Sequence, residues 1–445
     1  MTISSNYNAA GLASNIDWSV MIDGLVKNES MPLTLLKNQQ SALKTQVSTL
    51  GTLASKLAAL KTATDALADS GAVSVSASSN TSFSAAPGSG ATAGRFSFQV
   101  ETLARAGKQR SQGYGAGDSL APGTLTLTSM GKQYTVDLSG TESLSDVAAK
   151  LRATGAPVSA NVLSDGTKSY LVVTNRDTGH PLTGTPADGL SIDSGSTGLA
   201  FASLQDPVNA VVHLDGVKLT RTSNTITDAI ADTALTLKTE GGPAEDLVLS
   251  PSATDTATNL QKFVDAYNAV LKVVQSQLAV SEGTDRETTL AGDSAVRSLQ
   301  GALQRTLVTS VGGTDVRTLA DIGIKTARDG SISLDQGVLT KALARSPEAI
   351  NTLFADATSG VGKTMAALAD TYTNSTKGLL VLRQTSLNKR VEDLDQRMED
   401  LQARLEKYRQ NLIARFTAME NVISGLKATG NYLTQQENAK KSSSS

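Results

Sequence analysis

The sequence predicts an α+β multidomain chain: a terminal α-helical coiled-coil stalk with nested β-rich inserted domains. Three observations predict it. Both ends of the 445-residue chain carry long rows of apolar residues at helical spacing. The middle switches to period-two alternation punctuated by Gly-bearing turns. The length itself suggests about three domains of roughly 150 residues.

The first row runs from Leu33 to Asp69. Leu43, Leu50 and Leu57 are heptad-spaced, and so are Leu53, Leu60 and Leu67, which makes one broad apolar stripe on one helix. Pro32 sits near the start, where a missing N–H costs little, and Gly71 suits the stop. Residues 70–92, rich in Ser, Ala and Gly, read as loop. Phe96, Phe98 and Val100 alternate with polar residues as a half-buried strand, and Gly113, Gly115 and Gly117 read as a linker.

Residues 123–174 have the order ββαββ. GTLTLT and QYTVD flank Gly131. Ser143 with Asp146 resembles a capping box ahead of Leu144, Val147, Ala148 and Leu151. VSANVLS and SYLVVT flank Asp165-Gly166, a strong hairpin signal. Residues 177–207 read mostly as loop. Strands follow around Asp215-Gly216, and TALTLK with DLVLS reads as a hairpin around Gly241-Gly242. A helix through Leu260, Phe263, Tyr267, Leu271, Val274 and Leu278 is capped by Asp255 or Thr256. Val296, Leu299, Leu303 and Leu307 mark another helix. Residues 323–335 form a hairpin at Asp329-Gly330, and Ser346-Pro347 opens a short helix through Phe354.

The C-terminal row is the strongest periodic signal. Leu387, Val391, Leu394, Met398, Leu401, Leu405, Tyr408 and Leu412 alternate steps of four and three, with Val391 at a and Leu394 at d. The step to Phe416 is four where three is due, a stutter, before Met419, Ile423 and Leu426 resume the pattern. Asp393/Arg397 and Asp400/Arg404 have i,i+4 spacing with the acid first. From Leu387 to Leu426 a continuous helix would be about 60 Å long. The KKSSSS tail reads as disordered. Neither terminal stripe can bury itself alone, so the two ends are expected to pair antiparallel. The expected domains are terminal legs at 1–42 and 408–445, mobile when free, and a helical stalk domain at 43–75 and 253–407. A β-rich domain takes 76–114 and 208–252, and an inserted ββαββ domain takes 115–207.

Composition excludes much chemistry. The chain has no Cys and only His180 and His213, so disulfides, thiolate metal sites and Cys nucleophiles are absent. With 40 basic against 42 acidic residues, nothing global points to nucleic acid. The chain carries no run of apolar residues near the ~20 needed to span a bilayer, and no Lys or Arg precedes Lys27, so the N-terminus does not read as a secretory signal. GVGKT at 360–364 lacks the first Gly of a P-loop, since Ala357 stands there, and Gly113/Gly115/Gly117 fails GxGxxG at Asp118. Neither His has a second ligand nearby. No cofactor and no catalytic residue is expected. Ile16, Trp18, Val20 and Leu25 form an apolar stripe in a polar segment, with partner contact and core packing equally weighted. The C-terminal heptads likewise admit packing within the chain, between chains, or both.

These segments resemble one family. GLASNID (11–17) and ESMPLTLLKNQQ (29–40) look like the opening of the bacterial flagellar filament cap proteins, the flagellar hook-associated protein 2 family. HLDGVKLTRTSNTITDAI (213–230) is similar to its β-domain signature. LAGDSAVRSLQGAL (290–303), LADIGIKTARDGSISLD (319–335), LTKALARSPEAINTLF (339–354) and YRQNLIARFTAMENVISGL with YLTQQ (408–436) resemble its C-terminal region. Residues 142–179 are similar to a module shared by hook-associated proteins and flagellins. Asn15 and Ala231-Asp232-Thr233 depart from the usual pattern.

The resemblance implies a homo-oligomeric ring, a pentamer or similar, at the distal tip of the filament. Its β domains would form the plate and its coiled legs would reach into the filament end. There it would promote folding and insertion of exported flagellin. Implied partners are flagellin, an export chaperone on the C-terminal region and the hook–filament junction protein, with host mucin for some members; no nucleic acid or membrane is implied. Export through the flagellar apparatus, without a cleaved signal, would place it outside the cell. On this reading the coil and oligomer contacts are Leu43, Leu50, Leu57, Leu387, Val391, Leu394, Met398, Leu401, Leu405, Tyr408, Leu412, Phe416, Met419 and Ile423. The filament-contact segment is Leu12, Ile16, Trp18, Val20 and Leu25. Two other classes have distinct signatures. A surface adhesin would bind mucin or glycan through an isolated 76–252 fragment. A peptidoglycan-acting enzyme would need a carboxylate pair, and no residue pattern marks one.

Overall fold

A computed structural model describes residues 14 and 16–442, apart from 116, 281–285, 309 and 312–314, with side chains described to Ala439. Leu12 and Asn15 lie outside the described residues. α1 (Trp18–Glu29) and α2 (Met31–Asp69) meet at Ser30. Asp17 caps α1 by accepting from the amides of Ser19 and Val20. At the joint Pro32 has no N–H to continue one helix into the next, and the Ser30 hydroxyl donates to the Lys27 carbonyl at 2.7 Å.

The β-rich part begins earlier than its composition suggests. β1 (Val75–Ala77) and β2 (Phe83–Pro87) lie within the stretch expected to be loop. Their small side chains give no alternation to read. They become strands by pairing antiparallel with β15 (Glu245–Pro251) and β14 (Thr233–Leu237), more than 140 residues away in sequence. β3 (Gly94–Thr102), β11 (Ala210–Leu214) and β12 (Val217–Arg221) complete a five-stranded sheet ordered β1-β15-β3-β11-β12. β13 (Thr225–Ile230), β14 and β2 form a three-stranded sheet. A single core joins the two, with Phe83 against Phe98 at 4.5 Å between ring centres. The expected hairpin between TALTLK and DLVLS does not form. β14 lies between β13 and β2, and β15 lies between β1 and β3. The Asp215-Gly216 turn does form, with both residues at positive φ as a two-residue hairpin requires.

A second β unit is inserted between β3 and β11. It contains β4 (Lys108–Ser111), β5 (Gly123–Ser129), β6 (Lys132–Leu138), α3 (Leu144–Ala153), β7 (Val158–Ser164) and β8 (Ser169–Asn175). α4 (Pro186–Gly189), β9 (Leu190–Asp193) and β10 (Phe201–Gln205) follow, within a segment expected to be mostly loop. The ββαββ order is present but its strands divide between two sheets, β6-β5-β9 and β10-β4-β8-β7. The Ser143/Asp146 capping box opens α3, which buries Leu144, Val147, Ala148 and Leu151 in the core shared by those sheets.

The helical domain holds α5 (Ala253–Leu278), α6 (Ser294–Leu307), a 3-10 turn (Leu319–Ile322), the hairpin β16 (Ile324–Thr326) and β17 (Ile332–Leu334), α7 (Gln336–Arg345), α8 (Pro347–Ala355), α9 (Val361–Thr373) and α10 (Leu379–Ser442). α5 starts one turn earlier than expected. Ser252 caps it and accepts from the Asp255 amide, so Asp255 is the third helical residue rather than the cap. Ser346 precedes α8 but its hydroxyl donates to the Asp315 carboxylate at 3.0 Å instead of capping. GVGKT opens α9: the Lys363 ammonium donates to the Ala357 carbonyl, and Gly362 lets α9 cross close to Ala68 of α2. Lys441 and Ser442, expected to be disordered, lie in α10, while 443–445 are outside the described residues. At 64 residues α10 is about 96 Å long.

Candidate functional site

No catalytic cleft emerges among the described residues. Among the described residues, no group of three or more His, Asp or Glu side chains is placed to hold a metal. His213 hydrogen bonds through Nε2 to Glu101 at 2.8 Å, and this imidazole holds the Glu101 carboxyl below its usual range. His180 bonds through Nδ1 to the Pro181 carbonyl at 3.0 Å. Among the described residues, no helix is long and apolar enough to cross a membrane. The feature that stands out is the stalk.

α2 and α10 run antiparallel. Gln40 of α2 bonds Asp395 of α10, and eleven residues on, Gly51 faces Gln384, eleven residues back. The heptad residues lie where the period puts them. Leu50, Leu57 and Leu387 are fully buried, and Leu43, Val391, Leu394, Met398, Leu401, Leu405 and Leu412 are buried. Leu43, Leu50, Leu57, Leu387, Val391 and Leu394 join the helical core, and Leu412 packs with Trp18 and Ile22 of α1. Burial fades around and past the stutter. Tyr408, Phe416 and Ile423 are half-buried, while Met419 and Leu426 are exposed. Asp393/Arg397 and Asp400/Arg404 form no ion pair; Asp400 accepts from Gln396 at 3.4 Å instead. The ion pair that ties α10 to the domain is Arg383 Nε to Asp293 Oδ2 at 2.6 Å. The Asp293 side chain is 5% exposed and also caps α6.

Below the Ser30 joint, α1 continues along α10 through a separate small cluster of Trp18, Ile22 and Leu412, flanked by Val26, Tyr408, Ile413 and Phe416. The Trp18 ring stacks on Phe416 at 4.6 Å and 21°. Its indole N–H donates to Glu420 Oε1 at 2.6 Å, and Arg409 Nη2 donates to Asp23 at 2.7 Å. The Asp17 carboxyl is held low by the Ser19 hydroxyl, which keeps the α1 cap charged.

The expected filament-contact segment therefore divides. Trp18 is packing. Ile16, Val20 and Leu25 are exposed, Val20 at 67%. Sequence reading missed Met21, Met31 and Leu35, which are exposed as well and extend the stripe across the joint. Part of the signal was available, since Pro32 marks the break beside which Met31 and Leu35 lie. A concavity of about 740 Å³ opens there, lined by Gly24, Lys27, Asn28, Met31, Thr34 and Leu35. On α10, Val422, Leu426 and Leu433 are exposed in turn. A row of apolar side chains in water on a paired helix is a surface that another protein surface would cover.

Comparison with known proteins gives a consistent picture. A family model described as "Flagellar hook-associated protein 2 N-terminus" matches residues 14–107, and one described as "Flagellar hook-associated protein 2 C-terminus" matches 208–428. Flagellar hook-associated protein 2 of Escherichia coli K12 is 28% identical, with 97% of this chain and 98% of that one covered. B-type flagellar hook-associated protein 2 of Pseudomonas aeruginosa is 29% identical, covering 85% and 86%. The crystal structure of the D1-D2-D3 domains of the flagellar cap protein FliD from Escherichia coli superposes with a TM-score of 0.62 at 26% identity, covering 76% of this chain and 99% of that one. Residues 108–207, between the two matched stretches, are the segment that folds as β4 to β10.

Proposed function

The chain belongs to the flagellar hook-associated protein 2 family, and from that premise we propose how its parts serve a cap on the bacterial flagellum. It is a filament cap protein, a structural component of assembly and not an enzyme. Its place of work is the filament tip, outside the cell.

In the proposed arrangement several copies form a ring. The two β units, of which the inserted one spans 108–207, make the plate. The α1–α2–α10 stalk stands below it and contacts the filament end. The observation that carries this reading is the exposed apolar set of Val20, Leu25, Met31 and Leu35, the last two lining the concavity, which the chain leaves uncovered beside a well-packed helix pair. Covering it against a neighbouring copy or an incoming flagellin would gain about 25 cal/mol for each Å² of apolar surface removed from water. Such a surface could hold an exported flagellin at the tip while it folds and inserts. Further proposed partners are an export chaperone on the C-terminal helix, the hook–filament junction protein and, at the outer face, host mucin. Export without a cleaved signal is part of the same proposal.

The test replaces Val20, Leu25, Met31 and Leu35 by Ser in a strain whose own copy is deleted. The variant should fold, since all four side chains are exposed, yet leave cells with few or short filaments and flagellin in the medium. Filaments of normal length and number would contradict the reading.

A further inference from the structure

α10 carries a second periodic pattern that the a/d stripe does not explain. Arg383, Arg390, Arg397 and Arg404 are each seven residues apart, all at g. Glu392, Glu399 and Glu406 are also seven apart, all at b. With the a/d face turned toward α2, g and c lie on one flank of α10 while e and b lie on the other. The arginine flank also holds Asp393 and Asp400 at c, which reduce its positive charge without cancelling it. The opposite flank adds Asp395 at e to the three glutamates, while Arg409, also at e, is engaged by Asp23 of α1.

The helix packed against α10 does not answer these rows. α2, the helix beside them, has no Asp or Glu between Met31 and Thr64. Arg383 is engaged by Asp293. Arg390, Arg397 and Arg404 make no ion pair among the described residues, nor do Glu392, Glu399 and Glu406, and all six side chains are exposed. Arg390 and Arg397 instead line a polar hollow of about 490 Å³ together with Gln39, Gln46 and one acidic residue from outside α10, Glu287. Charged residues beside a coiled seam find opposite charges on the helix across it. Here the matching charges are on the far flank of the same helix.

We infer that a second copy of this chain is the partner, with the arginine flank of one α10 packed against the glutamate flank of the next. This inference rests on the ring reading above. Rotational symmetry sets neighbouring stalks parallel and brings the left flank of each to the right flank of the next, a heterologous contact that closes as a ring. Both rows repeat every seven residues, about 10.5 Å along the axis, so pairing one arginine brings the others into register. Exposed pairs of this kind set orientation and exclude wrong registers more than they add affinity, and they are screened by salt.

The test uses the full chain and three variants. One reverses the basic row (Arg390→Glu, Arg397→Glu, Arg404→Glu), one reverses the acidic row (Glu392→Arg, Glu399→Arg, Glu406→Arg), and one carries all six changes. Assembly is followed by sedimentation velocity at low and high salt, with circular dichroism to verify helix content. Each single-row reversal should weaken assembly by at least about tenfold in dissociation constant, because like-charged flanks then meet. The six-fold swap should restore assembly, since the two flanks merely exchange sign. Rings that form equally well in both single-row variants overturn the inference. So does a row whose reversal abolishes filament growth while leaving rings intact, which would assign it to flagellin. A wild-type chain that stays monomeric in every condition overturns the ring reading itself.

Discussion

Replacing Trp18 by Ala should free α1 from α10 while the rest of the chain stays folded. Trp18 is buried, stacked on Phe416 and bonded to Glu420, in a cluster separate from the main helical core. A tryptophan removes about 150–250 Å² from water, roughly 4–6 kcal/mol at 25 cal/mol per Å². That is an upper bound, because the detached segment keeps some of its contacts, and measured Trp→Ala losses are about 3–5 kcal/mol. A twelve-residue helix has little stability of its own, so the loss opens α1 locally. At the low end, about 3 kcal/mol, opening becomes roughly a hundredfold more frequent. Amide hydrogen exchange reads this directly. Residues 18–29 should exchange roughly a hundredfold faster in the variant, with the amides of α5 unchanged. Unaltered exchange in α1, or equal acceleration in α5, would refute the view that this cluster alone holds the leg. The same experiment on the wild-type chain tests the proposal that the terminal legs are mobile when free, since α1 should exchange faster than α5 even there.

Three further outcomes follow from local geometry. The Tyr267 hydroxyl is buried in the helical core without a hydrogen-bond partner among the described residues, and burial pushes its pKa up to about 12. Tyr267→Phe should therefore leave thermal stability unchanged or raise it by about 1 kcal/mol, as an unsatisfied group is removed. Glu245 accepts from the amides and hydroxyls of Ser82 and Thr81, which lowers its pKa from 4.5 to about 2 and ties β15 to the start of β2. A depressed carboxylate pKa stabilises the fold above the unfolded value and loses that contribution as pH falls through the folded one. The β domain should weaken between about pH 4.5 and pH 2, and Glu245→Gln should flatten that part of the acid-unfolding curve. A Cβ at Gly362 would lie 2.6 Å from Ala68 Cβ and 2.8 Å from the Phe354 carbonyl oxygen, so Gly362→Ala should cost about 1–3 kcal/mol in a thermal melt.

The helical stalk was legible in the sequence because its signal is periodic and local. Leu387 to Leu412 can be placed on one face by counting, and that face is buried. The β units were less legible because their pairing is not local. TALTLK and DLVLS are adjacent in sequence and look like a hairpin, yet each joins strands from elsewhere in the chain. β13 was hidden by the irregularity between Ile226 and Ile230, where its register with β14 shifts. β4 precedes the Gly-rich stretch read as a linker, so it was assigned to the outer β domain, yet it pairs with β8 and β10 of the inserted unit. α9 was missed because Gly360 and Gly362 suggest a loop where they permit close packing. In the stalk, counting identified the apolar rows but not which of them the chain covers itself. That took the packing of α1 on α10, which buries Trp18 against Leu412 and Phe416 and leaves Val20, Leu25, Met31 and Leu35 in water.

As a filament cap, this chain should be required for flagellin to polymerise at the tip. The most direct test is to delete the gene, then measure flagellin in the culture medium and count filaments by electron microscopy. Deleted cells should carry no filaments and release abundant monomeric flagellin, with both reversed when the intact gene is restored. Normal filaments on the deleted strain would contradict it.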